Sequence, residues 1–579
     1  MRATRHPAAS HDDVEGLHFS LDEGIECIGF GWFQVGLLCV CGATQLADAT
    51  ELLVLSLLNA PVQCAFNVSK TETAWLASSV FAGMLCGAYV TGHVSDQFGR
   101  RAGFGMTSGL VGAFGLLSAV APNFQALVAT RFFVGMGVGG ANAALSLFAE
   151  FLPTRLRGTG LIIFFFFFSV GGVLEAGLAW LIMPDWRRLL FVTAIPSVLL
   201  LLCVPLVPES PRFLLVQGRA EEAQRVLATA AACNGAQLPP GRLAQASRVQ
   251  QPAAFSQILA EVQRLLKRGL LRRLTLRLWV IFFFMATLYY ALVQLTVTMA
   301  IPAGMPGHEC DTIPSQVYWH VLVMNAGELP GLVAASLLLD VLGRKGTIAV
   351  LSLLTALLSL CLLAVDGGAG GAGSAGEAPH LVLVMFAARA CALGFNQSLW
   401  IYTTEAYPTV HRALGIGSVS WRVSVPSVML SAPVTVFPRP SCVTGTALVA
   451  AGYHRYWRHV SAHYLAVDLC CHSVWALTLF HFFLDMPGIG AASALARVGG
   501  IASPFVALDL PNSIAVAVCV ACGMVCSATA LTLPLETRGQ SLTDSVGGAA
   551  EDHARLLEGG DGAGAQGAEA AEAQYQLHS

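Results

Sequence analysis

"DQFGRR" (residues 96–101) and "DVLGRK" (residues 340–345) are one phrase written twice. Each reads acid, two spacers, glycine and two cations, and each follows an apolar run long enough to cross a bilayer, which takes roughly 20 residues. Two further pairs follow in the same order. "EFLPTRLR" (150–157) and "EAYPTVHR" (405–412) share the spacing E-x-x-P-x-x-x-R, and "PES" (208–210) is matched by "LET" (535–537). Motif pairs that recur in order, at matching ends of corresponding apolar runs, mark an internal duplication. In membrane proteins such repeats build transporters whose site lies between the repeated bundles.

The apolar runs themselves fall at about 31–58, 74–94, 103–121, 124–148, 159–182 and 189–207, and resume at about 275–300, 317–339, 347–365, 380–402, 491–509 and 513–534. The chain is 55% hydrophobic and 12% charged, with mean hydropathy +0.65. Soluble domains carry about 25% charged residues, so a soluble protein is excluded. The expected architecture is an all-α integral membrane protein with twelve transmembrane helices in two six-helix bundles. Its segments are a cytosolic N-terminus (1–29), a first bundle (30–207), a cytosolic central loop (208–273), a second bundle (274–540) and a disordered cytosolic tail (541–579). "GRAEEAQRVLATAA" in the central loop has helical composition.

Lys and Arg set the orientation. One set of loops holds Arg100, Arg101, Arg155, Arg157, Arg344, Lys345 and Arg412, against Lys70, Arg187 and Arg188 on the other side. Both termini and the central loop are therefore expected in the cytosol. The N-terminus has no apolar core of a signal peptide. Asn67-Val68-Ser69 then falls in the first outer loop as a glycosylation acceptor. Most cysteines stand singly inside apolar runs, where they behave as small hydrophobes. Cys64 and Cys310 fall in outer loops, and their pairing cannot be read from spacing. No basic face fits nucleic acid, no GxxxxGK[ST] loop fits a primary pump, and no hydrolytic or redox constellation fits an enzyme. No cofactor is called for.

Gly92-His-Val-Ser-Asp96-Gln-Phe-Gly99-Arg100-Arg101, Arg131 with Gly135, Gly137 and Gly139, and "PESPRF" (208–213) resemble the signatures of the major facilitator superfamily. More narrowly, "GFGWFQ" (29–34), "ADATE" (47–51), "AEFLP" (149–153), "ELPG" (328–331), "YTTEAYPT" (402–409) and "ARVGG" (496–500) resemble the synaptic vesicle 2-related proteins, a branch similar to proton-coupled nicotinate and aromatic-acid carriers. The resemblance covers about 29–418 and 488–540. It implies a major facilitator fold, and cytoplasmic contacts that latch that side when the carrier faces outward. Asp96, Arg100, Arg101, Glu150, Arg157, Asp340, Arg344, Glu405 and Arg412 are the expected gating residues. Asp96 is expected against a helix N-terminus and Arg100 against a carboxylate, with Glu150 and Glu405 as the natural acids.

One stretch departs from the pattern. "GIGS" in "RALGIGSVSWR" (412–422) begins the lead-in to the eleventh span, and "GIGAASALARVGG" (488–500) begins it again. The stretch between, about 419–488, reads as an insertion. Its histidines include His459 and His463 at helical spacing, but without a convergent carboxylate or HExxH they are read as composition, and no metal site is expected.

The deep charges carry the functional expectation. Asp48 and Glu51 stand nearly one turn apart in the first span, and a carboxylate at that depth costs on the order of 3 kcal/mol. Arg131 in the fourth span is the expected partner of Asp48, because an acid of the first helix pairs with such an arginine in related sugar carriers. Asp48, Glu51 and Arg131 are thus the expected proton-coupling set; the alternative is a static buried pair that only fixes packing. Glu175, Tyr290, Gln294, Glu328, Arg389, Gln397 and Trp400 are the expected substrate-binding residues, with Tyr289 beside them. Pro330 and Gly331 are expected to interrupt the eighth helix near the midplane. Arg389 is left between an acid partner (Glu328 or Glu175) and an anionic substrate. The reading is a monomeric secondary carrier of a small organic ion, driven by protons, in the plasma membrane or a vesicle membrane. The alternative is a carrier-like receptor or scaffold that no longer transports.

Overall fold

Lipid offers backbone groups no hydrogen-bond partner, so a chain this apolar is confined to helices or closed barrels. The computed structural model describes residues 18–153, 156–244, 269–301, 314–368, 378–406 and 488–536, and it is helical almost throughout. Residues 419–487 of the insertion, Arg412, Cys310 and the tail lie outside the described residues. In the first half, α1 (Leu21–Ile28) lies ahead of α2 (Trp32–Phe66), α3 (Lys70–Phe98), α4 (Arg100–Ala119), α5 (Phe124–Val138), α6 (Asn142–Glu150), α7 (Arg157–Ile182) and α8 (Trp186–Cys203). The central loop holds α9 (Pro211–Val216) and α10 (Ala220–Asn234). The second half comprises α11 (Gly269–Ala300), α12 (Ser315–Ala326), α13 (Glu328–Gly368), α14 (Ala378–Ala406), α15 (Gly488–Leu508) and α16 (Asn512–Leu531).

Among the described residues ten helical stretches are long and apolar enough to span a membrane, and Ala492–Leu508 is a shorter apolar helix. The stretch Ser315–Leu363 is two crossings. At 1.5 Å per residue its 49 residues would reach about 73 Å, more than twice the hydrocarbon thickness, and the backbone leaves helical geometry at Gly343, with φ 74° and ψ 177°. Counted so, the chain is a twelve-helix bundle protein. Two spans are interrupted. α5 and α6 form one crossing broken at residues 139–141. The crossing of α12 and α13 is broken at Gly327, ahead of Pro330, which has no N–H to give to the preceding turn.

The duplication is visible in the backbone. Gly99 and Gly343, the glycines of the two repeated phrases, both have positive φ (103° and 74°) and turn the chain into the next helix. Nine residues before each repeated aspartate, Gly87 and Gly331 hold the tightest helix crossing of their halves. A Cβ on Gly87 would lie 1.9 Å from the Met136 carbonyl oxygen, and one on Gly331 would lie 2.2 Å from that of Ala390. Small residues let helix backbones touch in this way in lipid, where apolar burial alone drives little association.

The halves meet mainly toward the Asn67 end. Trp180 packs on Trp319 (centroids 5.7 Å) and Trp75 on Phe505 (5.0 Å). Ser78 donates to the Ile501 carbonyl at 2.8 Å, and Asn325 donates to that of Gly172 at 3.2 Å. One apolar core runs through both halves there, joining Leu57, Leu58 and Val62 of α2 to Leu292, Leu295 and Val317 of α11 and α12.

At the opposite end a small cap closes on the first half, a feature the sequence reading keeps as separate N-terminal and loop segments. β1 (His18–Phe19) pairs in parallel with β2 (Arg242–Leu243), and α1, α9 and α10 bury Phe19, Ile25, Ile28, Leu214, Leu227 and Leu243 together. Asn234 ties this cap to α2. Its side chain accepts from Phe33 N at 3.0 Å and donates to the Ile28 carbonyl at 3.2 Å and to Gln34 Oε1 at 2.8 Å.

Candidate functional site

The repeated motifs assemble into two equivalent cation–acid clusters, one at the Arg-rich end of each half. In the first, Arg100 donates to Asp96 Oδ1 at 2.7 Å and lies 3.6 Å from Glu150, which in turn accepts from Ser210 Oγ. In the second, Arg344 grips Glu405 with two hydrogen bonds, at 2.9 and 3.0 Å. Asp340 is exposed, and Arg101 binds the Val204 carbonyl at 3.0 Å. Arg157 opens α7, but its side chain, like Arg412, lies outside the description.

Asp96 does not cap a helix N-terminus as expected. Glu209 does so, accepting from the backbone N–H of Arg100 at 2.8 Å and of Arg101 at 3.3 Å. Glu536 does the same for Arg344 (2.9 Å) and Lys345 (3.2 Å). The reason is geometric. Asp96 points from the last turn of α3, whereas the free amides of the next helix face the chain returning from the end of α8. The signal for Glu209 and Glu536 lay in the PES/LET pair, whose acids stand at matching places. A carboxylate at the positive end of a helix is favourable by about 0.3–1 kcal/mol, up to about 2 when partly buried.

The buried charges lie deeper. Asp48 and Glu51 sit on α2, Arg131 on α5, Glu175 on α7, Glu328 on α13, Arg389 on α14 and Arg497 on α15. Two ion pairs form among them. Arg131 Nη1 binds Glu51 Oε2 at 2.6 Å, both side chains fully buried, and Arg389 binds Glu328 at 2.5 Å. Tyr289 adds a hydrogen bond to the same Glu328 oxygen at 3.0 Å, and Arg389 also reaches Thr296 Oγ1 at 3.3 Å. The expected Asp48–Arg131 pair is not formed. Glu51 stands about 4.5 Å further along the helix axis than Asp48, is rotated from it, and has one more methylene of reach, so it takes the guanidinium.

Three charges are left over. Asp48 is buried with Oδ2 unpartnered, and Glu175 is buried with both carboxyl oxygens unpartnered. Arg131 keeps Nε and Nη2 idle. Electrostatically Glu175 faces both Glu51 and Arg131, while Arg131 itself binds Glu51. Arg497, not among the expected site residues although "ARVGG" was read as part of the resemblance, reaches from the second half into the first. Its Nη2 donates to the Gly139 carbonyl at 3.3 Å, an oxygen freed by the break between α5 and α6, and it makes no ion pair among the described residues.

Tyr290 stands between the halves. Its ring packs on Phe81 (centroids 4.5 Å) and Tyr289 (5.1 Å), and Asp48, Glu328 and Arg497 all act electrostatically on it. Gln294 accepts from Asn59 at 2.9 Å, joining α11 to α2. Gln397 is buried with Oε1 unpartnered. Trp400 packs edge-on against Phe282 (5.0 Å) beside the second half's own apolar core. On the Arg100 side of the break between α5 and α6 a cleft of about 290 Å³, its open mouth included, is lined by Thr91, Ser95, Arg100, Gly139, Gly140 and Ser146.

Two helical bundles with mirrored cation–acid clusters and a charged seam between them define a membrane carrier of the major facilitator type. The chain belongs to the sugar (and other) transporter family, whose model matches residues 42–429. It is 34% identical over 438 residues to the organic cation/carnitine transporter 7 of Arabidopsis thaliana, covering 69% of this chain and 84% of that protein. It is 32% identical over 425 residues to the synaptic vesicle 2-related protein of Bos taurus, covering 69% and 73%. A partially occluded, inward-open structure of the E. coli xylose transporter XylE has the same fold, with a TM-score of 0.58 at 17% identity over 88% of this chain and 100% of that one. The protein is thus a multi-pass integral membrane transporter.

Proposed function

We propose that this protein carries a small organic ion by alternating access and that protons drive it. The observation that bears most weight is the pair of buried carboxylates around one guanidinium. Glu51 and Glu175 cannot both stay charged beside Arg131 alone without large cost, so a proton is the natural third partner. When Glu175 binds it, Arg131 and Glu51 form a neutral pair; when Glu175 loses it, the carboxylate competes for the idle nitrogens of Arg131.

Position links this site to conformation. Gly172, three residues before Glu175 on α7, accepts the hydrogen bond from Asn325 of the second half. A Cβ at Gly172 would also lie 3.8 Å from Glu328 Oε2, so the two charge clusters face one another across the seam. A change of charge at Glu175 therefore acts beside an inter-half contact, which is what biasing a two-state equilibrium requires. In this reading Glu51, Arg131 and Glu175 handle the proton, while Asp48, Tyr290 and Arg497 face the substrate. Glu328 with Arg389 holds the second half in register, and the gating residues with Glu209 and Glu536 act as latches. The names of the relatives support an organic ion as cargo, and a XylE structure is titled a proton:xylose symporter. The site is built within one chain, so a monomer suffices.

The test is proton flux in proteoliposomes holding a pH-sensitive dye, screened with trimethylammonium compounds, aromatic acids and hexoses. Some cargo is expected to drive proton movement through the wild type. With one proton per cargo, a gradient of one pH unit supports about tenfold accumulation. Glu175→Gln keeps the shape and breaks no hydrogen bond, so it should exchange cargo yet accumulate none. Undiminished accumulation by that variant would place coupling elsewhere.

A further inference from the structure

The seam at the Asn67 end is itself written twice. Trp75 on α3 stands 21 residues before Asp96, and Trp319 on α12 stands 21 before Asp340, so the two tryptophans hold one position of the duplicated unit. Each lies near the start of its helix and is 48% exposed, and each meets an aromatic ring of the opposite half. Trp75 packs edge-on against Phe505 of α15 (centroids 5.0 Å, planes at 79°), and Trp319 packs against Trp180 of α7 (5.7 Å, 55°). The receiving helices match as well. Val170-Gly171-Gly172 on α7 reappears as Val498-Gly499-Gly500 on α15, and Trp180 and Phe505 follow these glycines by eight and five residues, about one turn apart on the same face. Six residues on from each tryptophan the equivalence holds again. Asn325 donates to the Gly172 carbonyl at 3.2 Å, and Phe81, at the matching place on α3, lies so near Gly500 that a Cβ there would come within 2.6 Å of its ring.

Resting on the carrier reading above, we propose that Trp75–Phe505 and Trp319–Trp180 are the two clasps of a gate at the Asn67 end, and that both must part before cargo can enter there. A tryptophan that only anchors its helix sits among lipid headgroups and needs no partner across a seam. These two each have one, in equivalent places. Rings that stay half exposed add little apolar burial, so the contact can open without disturbing a core. The ring contact alone favours the closed end by about 2- to 10-fold. One rocking motion of the bundles separates both contacts together, since the same repeat relates them. The two clasps therefore multiply, and losing both should favour opening at this end by about 4- to 100-fold.

The test is hydrogen exchange, read by mass spectrometry, on the purified full chain without cargo. Trp75→Ala combined with Trp319→Ala should raise exchange at the Asn67 ends of α3, α7, α12 and α15. It should lower exchange at the glycine turns of Gly99 and Gly343, because a carrier that opens at one end closes at the other. Each single alanine variant should give part of this opposed shift, and it carries the test if the double variant does not fold. Adding Phe505→Ala to Trp75→Ala should change little, since both remove one contact, whereas Trp75→Ala and Trp319→Ala should combine. Trp75→Phe and Trp319→Phe keep a ring and should exchange like the wild type. Exchange that rises at both ends would make the rings plain packing, and a rise confined to the substituted helix would make them lipid anchors; either result, or no change, overturns the proposal. Proton-driven uptake without the opposed shift refutes the clasps and spares the carrier reading. The opposed shift in a chain that moves no cargo does the reverse.

Discussion

Replacing Arg131 by methionine is the most severe single test of the buried charge arrangement. The side chain is wholly buried, and its Nη1 holds Glu51 at 2.6 Å. Methionine fills similar space but leaves Glu51 unpaired and Glu175 without a cation. Removing one partner of a buried pair costs about 3–5 kcal/mol, because the abandoned charge stays in low dielectric. For a six-helix bundle, a domain of roughly 150–250 residues, each kcal/mol shifts the melting point by about 2–4 °C, so Arg131→Met should melt about 6–20 °C lower. Glu51→Gln combined with it should recover part of that loss, since only Glu175 then remains uncompensated. Thermal unfolding of the purified full chain, followed by tryptophan fluorescence for both singles and the double, gives the coupling energy directly. A value of about 1–3 kcal/mol is expected for two contacting charges. Strict additivity, or a single variant that melts with the wild type, would mean that the pair does not hold the bundle and that the charge reading is wrong.

The other predictions concern latches, cap and insertion. Glu209→Gln and Glu536→Gln each weaken a helix-terminal contact by about 0.5–1 kcal/mol, so transport should slow about two- to fivefold while equilibrium cargo binding stays unchanged; equal damage to both would make these acids part of the site. Asp96→Asn and Glu150→Gln should behave alike. Asn234→Leu removes two hydrogen bonds that tie the cap to α2 and a third that ties α10 to the end of α1, and hydrogen exchange should rise over residues 18–28 and 220–243 before it rises in the spans; protection unchanged there would show that apolar contacts alone seat the cap. Deleting residues 419–488, which rejoins the two copies of the "GIG" lead-in, should leave surface expression and uptake intact; loss of expression would make the insertion structural.

Period and repetition made the architecture legible. Apolar runs of spanning length and the twice-written D-x-x-G-R phrase fix the order of helices, and Pro330 marks the break ahead of α13. The break after Val138 was less visible, because glycines at 135, 137, 139 and 140 also serve close packing. Pairing inside the membrane was the least legible part. Asp48 and Glu51 lie on one stripe, and only the rotation and depth of α2 against α5 decide which of them meets Arg131. Arg497 is hidden for a related reason. In sequence it is one cation in a helix, and only the packing shows it reaching the Gly139 carbonyl with no ion pair among the described residues. The cap depends on contacts between residues about 200 apart, such as Asn234 with Phe33 and Gln34, which no local pattern encodes.

The two halves agree where the machine must be symmetric and disagree where it must choose. Asp96 and Asp340, Gly99 and Gly343, Glu150 and Glu405, and Glu209 and Glu536 occupy equivalent places, and in both halves the terminal glutamate caps the helix that follows the glycine turn. Both bundles thus carry similar cation–acid clusters at one end, where the proposed latches of a rocking carrier would sit. Carry the same register inward and the likeness stops. The position that matches Glu328 is Met84, twelve residues before its own aspartate, and the position that matches Arg389 is Val134, sixteen before its glutamate. Arg131 in turn falls opposite Phe386. A static charge pair that only pinned helices would be expected to survive duplication in both copies, as the latches do. The buried charges instead differ between the halves, each span contributing its own sign. On the carrier reading proposed above, that asymmetry gives two similar halves a single, oriented place for cargo.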